Sequence, residues 1–248
     1  MPNRIKLGIL TPSSNTVLEP LTSAIVEGVP NVSAHFARFP VTEISLTKAA
    51  LGQFDFEPML QASRLLADAR VNVIGWSGTS SGWLGLEEDN RLCAAITAET
   101  GIPATTSVLA VEELFQLNGV KKFSLVTPYL DEIQEKIIEK FAERGFDCVS
   151  ERHLRDKGNY SYSEYSEDTI AGLVREVARD RPQAITIFCT NFRGARIAEA
   201  LEKETGIAVY DTTSAVVWKS LLMAGVDPRQ VTGWGSAFRT VSEPAGSR

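Results

Sequence analysis

The 248-residue sequence predicts an α/β fold of two pseudo-symmetric, Rossmann-like lobes, with a functional site in the cleft between them. Each lobe is expected to hold a short parallel sheet flanked by helices. Three observations predict this fold. Short apolar runs alternate with longer amphipathic segments, motifs recur in the same order in both halves of the chain, and small polar residues follow the predicted strands.

Four short apolar runs predict buried strands, because they lack the alternation of polar and apolar residues that half-buried strands show. They are "IKLGIL" (5–10), "VNVIGW" (71–76), "KFSLVT" (122–127) and "AITIFC" (184–189).

Longer segments with apolar residues at three- and four-residue spacing predict amphipathic helices over 57–70, 88–100, 130–145 and 167–180. Strands and helices therefore alternate along most of the chain. This order favours a mostly parallel sheet with right-handed crossovers and helices on both faces.

An internal repeat divides the chain. "TGIPATTSVLAVEELFQLNGV" (100–120) is similar to "TGIAVYDTTSAVVWKSLLMAGV" (205–226), and each contains an apolar helix. Two further pairs lie in the same order: "LGILTPSSN" with "FSLVTPYLD", and "GWSGTSSG" with "TIFCTNFRG". We therefore predict two homologous lobes, 1–117 and 118–225, and a tail, 226–248, that packs back on the first lobe.

Composition and charge exclude several classes of function. The chain is 44% hydrophobic and 23% charged, which is typical of a soluble globular protein. No apolar run approaches the roughly 20 residues of a membrane span, and the N-terminus shows no secretory signal. A net charge of −6 with scattered basic residues argues against nucleic acid as a partner. We expect a cytoplasmic protein with neither a nucleic-acid nor a membrane partner.

The sequence signals no metal site and no cofactor site. The three cysteines lack CxxC spacing, and the two histidines match no ligand pattern. Neither GxxxxGK[ST] nor GxGxxG follows a predicted strand. Nucleotide binding is therefore not expected, although the alternation is Rossmann-like.

Polar clusters follow all four predicted strands, at 11–16, 78–81, 127–129 and 189–191. Ligands of parallel sheets bind beyond the carboxyl ends of the strands, and a pseudo-twofold axis would bring the four clusters to one cleft. Hydroxyl, amide and backbone N–H groups bind carboxylates and oxyanions without a formal positive charge. The alternative for each cluster is helix N-capping.

Cys189 ends a buried strand and precedes the helix "GARIAEALEKE", so its sulfur is expected near a helix N-terminus, where N–H groups stabilise a thiolate. The alternative is a cysteine that fills the core. Cys93, within an amphipathic helix, and Cys148, in a strand-like run, are interpreted as structural.

The order of "TPSSNT", "TPY" and the late cysteine resembles the aspartate/glutamate racemase superfamily, and within it the branch of maleate cis-trans isomerases and arylmalonate decarboxylases. The resemblance covers nearly the whole chain. It implies an active site with two cysteines, one per lobe, that act as acid and base without cofactor or metal. The first-lobe cysteine should fall at Gly78, and a glycine can neither remove nor deliver a proton.

The pattern of arylmalonate decarboxylases is more similar, because Gly78-Thr79-Ser80, Tyr129 and Cys189 match it. It implies that hydroxyls and amides hold one carboxylate and stabilise an enediolate, which Cys189 protonates on one face. Two features depart from it and resemble racemases or maleate isomerases: the polar pair after the cysteine, and the amides at 15 and 159. The predicted substrate-binding residues are Ser14, Asn15, Thr79, Ser80, Tyr129, Thr190, Asn191 and Asn159.

These residues predict a cofactor-independent enzyme that acts on a small dicarboxylate, with decarboxylation favoured. A maleate isomerase or an aspartate/glutamate-type racemase is the first alternative, and there Gly78→Cys would restore a second acid or base. A non-catalytic carboxylate-binding protein is the second alternative. The sequence leaves open the substrate, the oligomeric state, including a homo-oligomer, and whether 159–166 is a lid or a surface loop.

Overall fold

Two four-stranded parallel sheets form the framework of the computed structural model, which describes residues 4–47, 52 and 54–241. Their strand orders correspond, β2-β1-β3-β4 in the first sheet and β6-β5-β7-β8 in the second. The predicted α/β class with two similar halves is therefore confirmed.

Every run that the sequence marked as a buried strand occupies a central place in a sheet. The first sheet contains β1 (Ile5–Pro12), β2 (Val32–Phe39), β3 (Val73–Trp76) and β4 (Ala104–Thr106). The second contains β5 (Lys122–Thr127), β6 (Asp147–His153), β7 (Ala184–Ile187) and β8 (Ala208–Asp211). The predicted runs are β1, β3, β5 and β7. The edge strands escaped prediction because β2 and β6 are only partly buried and β4 has three residues.

The helices of the described residues lie between these strands. They are α1 (Leu18–Glu27), α2 (Phe56–Asp68), α3 (Ser81–Leu84), α4 (Leu86–Thr100), α5 (Ser107–Leu117), α6 (Asp131–Glu143), α7 (Glu167–Ala178), α8 (Gly194–Thr205) and α9 (Thr212–Met223). The four predicted amphipathic helices are α2, α4, α6 and α7. Short 3₁₀ turns cover Tyr160–Glu164, Pro228–Gln230 and Ser236–Arg239.

The repeated TGI motif ends a helix in each half. Gly101 follows α4 with φ of 70°, and Gly206 follows α8 with φ of 71°. Each N–H bonds to a carbonyl of the preceding turn, Thr97 and Glu202 respectively. A left-handed residue at this position favours glycine, so the repeat preserves a helix stop.

Helices α5 and α9 pack against each other, and each also reaches the other half's sheet. Phe115 of α5 contacts Phe123 of β5 and Tyr210 of β8, with ring centroids 5.2 and 6.1 Å apart. Conversely, α9 lies so close to Gly75 of β3 that a Cβ there would come within 2.9 Å of Val216. The two halves therefore share one core. The lobe limits at 117 and 225 stay a prediction.

The described part of the tail contacts both halves. Ser236 donates its backbone N–H and its hydroxyl to Glu202 of α8, and Thr240 accepts the indole N–H of Trp218 at 2.8 Å. Trp234 packs against Val17 and Leu21 at the start of α1. Among the described helices, none combines the length and the hydropathy that crossing a bilayer needs.

The close approach of α9 to β3 yields a stability prediction. Gly75→Ala should lower the free energy of unfolding by about 1–3 kcal/mol, because the new methyl group overpacks the contact with Val216. Gly172→Ala is the matched control: a Cβ there meets no atom within 4 Å in the middle of α7, so it should raise stability by up to ~1 kcal/mol. Urea denaturation measures both. Equal effects would contradict the packing of α9 on β3.

Candidate active site

A cleft lies where the loops after β1, β3, β5 and β7 meet, with about 330 Å³ of space free of protein atoms, part of it open to solvent. Residues of both halves line it: Pro12, Asn15, Val41, Ile44, Phe54, Trp76, Gly78, Thr79, Ser80, Trp83, Tyr129, Asn159, Cys189, Thr190 and Asn191. Nine of the ten predicted site residues are among them, and the tenth, Ser14, bonds to Asn159 from behind. Their roles stay proposals.

The Cys189 thiol is buried at the end of the polypeptide run that forms β7. Burial raises its pKa to about 12, although the backbone N–H of Asn191 and the hydroxyl of Tyr129 stabilise the thiolate and lower it. At neutral pH the sulfur therefore carries its proton. A protonated thiol is suited to donate a proton and poorly suited to attack as a nucleophile.

A chain of polar groups crosses the cleft to this thiol. The Tyr129 hydroxyl lies 2.7 Å from Thr79 Oγ1. Either hydroxyl can be the donor in this bond, and the Tyr129 hydroxyl also lowers the pKa of Cys189 by stabilising the thiolate. Burial raises the pKa of Tyr129, so the phenol stays protonated. Thr79 comes from the first half and the other two residues from the second.

Asn15 and Thr190 join the two halves beside this chain. The Asn15 amide donates to Thr190 Oγ1 at 3.2 Å, and Thr190 donates to the carbonyl of Ser77 at 3.3 Å. The Asn15 side-chain oxygen accepts the N–H groups of Val17 and Leu18, each at 2.9 Å. The Asn15 side-chain oxygen therefore accepts N–H groups at the start of α1, as the N-capping alternative predicts. Its amide group forms part of the cleft wall.

Asn191 and Asn159 form a second link between the halves. The Asn191 oxygen accepts the N–H of Thr16 at 3.1 Å, and its amide donates to the carbonyl of Asn159 at 2.7 Å. The Asn159 amide donates to Ser14 Oγ at 2.8 Å, and Ser14 donates to the Val41 carbonyl at the same distance. Ser14 thus supports the site from outside the cleft.

Asn159, at the start of the segment 159–166, lines the cleft, and two tyrosines of the segment pack against residues next to it. Tyr162 is 1% exposed and stacks edge-on against Tyr129, with ring centroids 5.7 Å apart. Tyr165 packs against Phe192 in the same way at 5.9 Å. A surface loop would expose its aromatic side chains to solvent, whereas two of the aromatic side chains in this segment pack against the protein.

Trp76 and Trp83 are cleft residues that the sequence analysis missed, although both lie within "GWSGTSSGW". The Trp76 indole folds back over Gly78: a Cβ on that glycine would lie 2.0 Å from Cζ2 and 2.4 Å from Cε2. Phe39 holds the other side of this indole, at 5.0 Å between ring centroids. A side chain at position 78 would therefore require this ring to shift, and the effect of Gly78→Cys on a second acid or base stays a prediction.

Asp211 is a third residue that the sequence analysis missed. It precedes α9 as Thr106 precedes α5, and its Oδ1 accepts the N–H groups of Thr213 and Ser214 at 2.8 and 3.1 Å. Burial raises its pKa to about 7, and its charge raises the pKa of Cys189. The signal available in the sequence was an aspartate at the matching position of the repeat.

The fold and the cleft define the class: an α/β protein of two matching parallel halves with a cleft at the carboxyl ends of the central strands. A family model described as arylmalonate decarboxylase matches residues 20–238, so the chain belongs to the arylmalonate decarboxylase family. The predicted resemblance to the branch of arylmalonate decarboxylases and maleate isomerases is thereby confirmed.

Curated relatives carry both names. The chain is 24% identical to the arylmalonate decarboxylase of Bordetella bronchiseptica, over 73% of this chain and 77% of that protein. It is 22% identical to the maleate isomerase of Geobacillus stearothermophilus, over 89% and 92%. A cysteine-to-alanine variant of the maleate isomerase Iso from Pseudomonas putida S16, solved with maleate, superposes with a TM-score of 0.88 at 21% identity, over 96% of this chain and 99% of that one. The protein is thus a family enzyme, and the similarity leaves its particular reaction unresolved.

The protonated state of Cys189 predicts slow alkylation. Iodoacetamide should label it at a rate that rises about tenfold per pH unit from pH 7 to 9, because only the thiolate reacts and the pKa lies near 12. Mass spectrometry of the digest measures the rate. Cys148, whose pKa burial also raises to about 12, gives an internal comparison in the same digest. A rate for Cys189 that levels off below pH 9 would contradict the assignment.

The Trp76–Gly78 contact predicts energetic coupling. Gly78→Ala should cost about 1–3 kcal/mol of stability, and Trp76→Ala in the same chain should remove most of this added cost, because the obstructing ring is gone. A double-mutant cycle by urea denaturation measures the coupling, for which we expect about 1 kcal/mol or more. Gly28→Ala, where a Cβ meets nothing within 4 Å, should couple to neither. Additive effects would show that the ring lies elsewhere.

Proposed function

We propose that this protein is a cofactor-independent decarboxylase of small malonate-type dicarboxylates, in which an enediolate is protonated on one face by Cys189. One observation carries the proposal. The cleft offers a single protonated thiol, and the matching position in the first half holds Gly78 covered by Trp76. Two-base exchange needs an acid or base on each side, whereas decarboxylation followed by protonation needs one.

Neutral donors would hold the first carboxylate. Thr79 and Tyr129 supply hydroxyls of the chain described above, and the Ser80 hydroxyl, which finds no partner among the described residues, adds a third. In the described lining there is no lysine, arginine or histidine. Preorganised dipoles of this kind stabilise negative charge that develops on oxygen, so the same groups would bind the enediolate.

An apolar wall would hold the second carboxylate. Val41, Ile44 and Phe54 line the cleft with few polar atoms, so a carboxylate beside them loses much of its hydration. Its bond to the α-carbon breaks, CO₂ leaves, and the electron pair passes into the enediolate. As this bond breaks, negative charge moves from the carboxylate beside the apolar wall toward the hydroxyl donors.

Protonation completes the reaction. Cys189 transfers its proton to the α-carbon, and the thiolate left behind is stabilised by the Asn191 N–H and the Tyr129 hydroxyl. A proton from water then restores the thiol. The net reaction consumes one solvent proton and releases one CO₂. Because the proton comes from one side, an α-substituted malonate would yield one enantiomer.

Maleate isomerisation is the second candidate, favoured by the amide-rich wall of Asn15, Asn159 and Asn191 and by the fold similarity to a maleate isomerase solved with maleate. Cys189 would be the reacting group there as well. A neutral thiol with no cysteine at 78 supports this reaction less well than one-sided protonation.

Turnover in heavy water tests the proposal. Malonate or methylmalonate should release CO₂ and gain one deuterium at the α-carbon per turnover, as mass spectrometry and NMR would show. Cys189→Ala should lower kcat by roughly 10²–10⁴-fold, because general acid catalysis contributes that much. Cys93→Ala, in α4 outside the cleft, should leave kcat unchanged.

The same assay separates the alternatives. Conversion of maleate to fumarate without CO₂ release, followed by the separate olefinic ¹H NMR signals of the two isomers, would favour the isomerase. Binding of dicarboxylates with no turnover in either the wild type or Cys189→Ala would favour the non-catalytic binding protein. Either result would overturn the decarboxylase proposal.

A further inference from the structure

Two indole N–H groups in the cleft lack a hydrogen-bond partner among the described residues. Trp76 is 1% exposed and Trp83 is 5% exposed, and both line the cleft. The Nε1 atom of each is buried and unpaired. By contrast, the buried Trp218 donates its Nε1–H to the Thr240 carbonyl at 2.8 Å. A buried donor without an acceptor is unfavourable, so an acceptor from outside the protein is expected in the cleft.

The position of Trp76 indicates where that acceptor lies. Its Cε2 atom, which carries Nε1, is 2.4 Å from the place of a Cβ on Gly78. The six-membered ring therefore covers Gly78, and Nε1 lies one bond from Cε2, near the loop that supplies Thr79 and Ser80. Phe39 packs against this ring, which fixes it in place.

Trp83 lies beside the hydrogen bond between Thr79 and Tyr129. Its ring packs edge-on against Tyr129 at 5.6 Å between centroids and against Phe54 at 5.8 Å. The two unpaired indoles thus flank the groups that would hold a carboxylate. An anion bound without a cationic side chain depends on the number of neutral donors around it, so a further N–H has a large effect.

We propose that Trp76 determines the specificity of the cleft: its Nε1–H donates a hydrogen bond to a carboxylate oxygen of the substrate, while its ring takes the volume that a side chain at 78 would occupy. The proposal rests on the dicarboxylate cleft of the proposed function. It assigns Trp76 a double role, as a carboxylate donor and as a limit on the size of the substituent on that side of the substrate.

Calorimetry with malonate on the Cys189→Ala background measures binding apart from turnover. Trp76→Phe keeps most of the ring and removes the N–H. It should raise the Kd roughly tenfold or more, because a hydrogen bond to a charged group is lost. Its thermal stability should hold or rise, since an unpaired buried donor disappears.

Trp218→Phe is the matched control. It removes an N–H that is already bonded to Thr240, so it should lower thermal stability and leave the Kd for malonate unchanged. A purely structural role of Trp76 would give the same pattern as this control. An unchanged Kd in Trp76→Phe would therefore overturn the inference while leaving the proposed function in place.

The indole proton can also be observed without replacing Trp76. The ¹H–¹⁵N spectrum of the Cys189→Ala protein should contain four indole cross-peaks, assigned by replacing the other three tryptophans in turn. Malonate should move the Trp76 peak downfield and leave the Trp218 peak in place. A Trp76 peak that stays fixed while malonate binds would overturn the inference even if Trp76→Phe failed to fold.

Failure of the proposed function gives a different result. If neither malonate, methylmalonate nor maleate binds to the Cys189→Ala protein, the dicarboxylate cleft itself is wrong, and the role of Trp76 falls with it. Binding that is weaker in Trp76→Phe than in the parent supports both. A larger probe adds the size test: Trp76→Ala should improve the binding of phenylmalonate relative to malonate, and an unchanged ratio would count against the ring as a size limit.

Discussion

The packing of α5 and α9 across the two sheets is the constraint on which the cleft depends. Phe115 of α5 packs against the second sheet. Gly75 of β3 has no side chain, so α9 packs closely against the first sheet. The halves cannot separate without opening this shared core. Thr79 of one half and Tyr129 of the other are therefore held at 2.7 Å by packing as well as by their own hydrogen bond. Precise contacts between loops are obtained from rigid elements beneath them.

The electrostatics of the cleft follow from the absence of charged side chains in its described lining. Burial keeps Cys189 and Tyr129 protonated, so both groups carry a proton that they can donate. A dianionic ligand would raise the pKa of the thiol further, because like charges disfavour the thiolate. The site is thus suited to deliver a proton after negative charge has appeared on the substrate. It is less suited to start a reaction with a sulfur nucleophile.

Much of this arrangement could be predicted from the sequence, for identifiable reasons. The central strands β1, β3, β5 and β7 are buried on both faces and read as continuous apolar runs. The repeat then placed the polar loops after them in one cleft. Three features could not be read in this way. The contact of α5 and α9 with the sheet of the other half depends on tertiary packing. The position of the Trp76 indole over Gly78 depends on a side-chain rotamer. The hydrogen-bond partners of Ser14 and Asn159 come from segments distant in sequence.

Gly78 and Cys189 occupy matching positions in the two halves of the repeat but carry different groups. In an assembly of two identical halves, every substitution would appear on both sides of the central cavity at once. Here one covalent chain carries both halves, so a bulky ring and a bare backbone stand at one position while a thiol stands at its counterpart. Linking the halves lets each wall vary independently, and a scaffold that is nearly symmetric can thereby present two different walls to the two sides of one ligand.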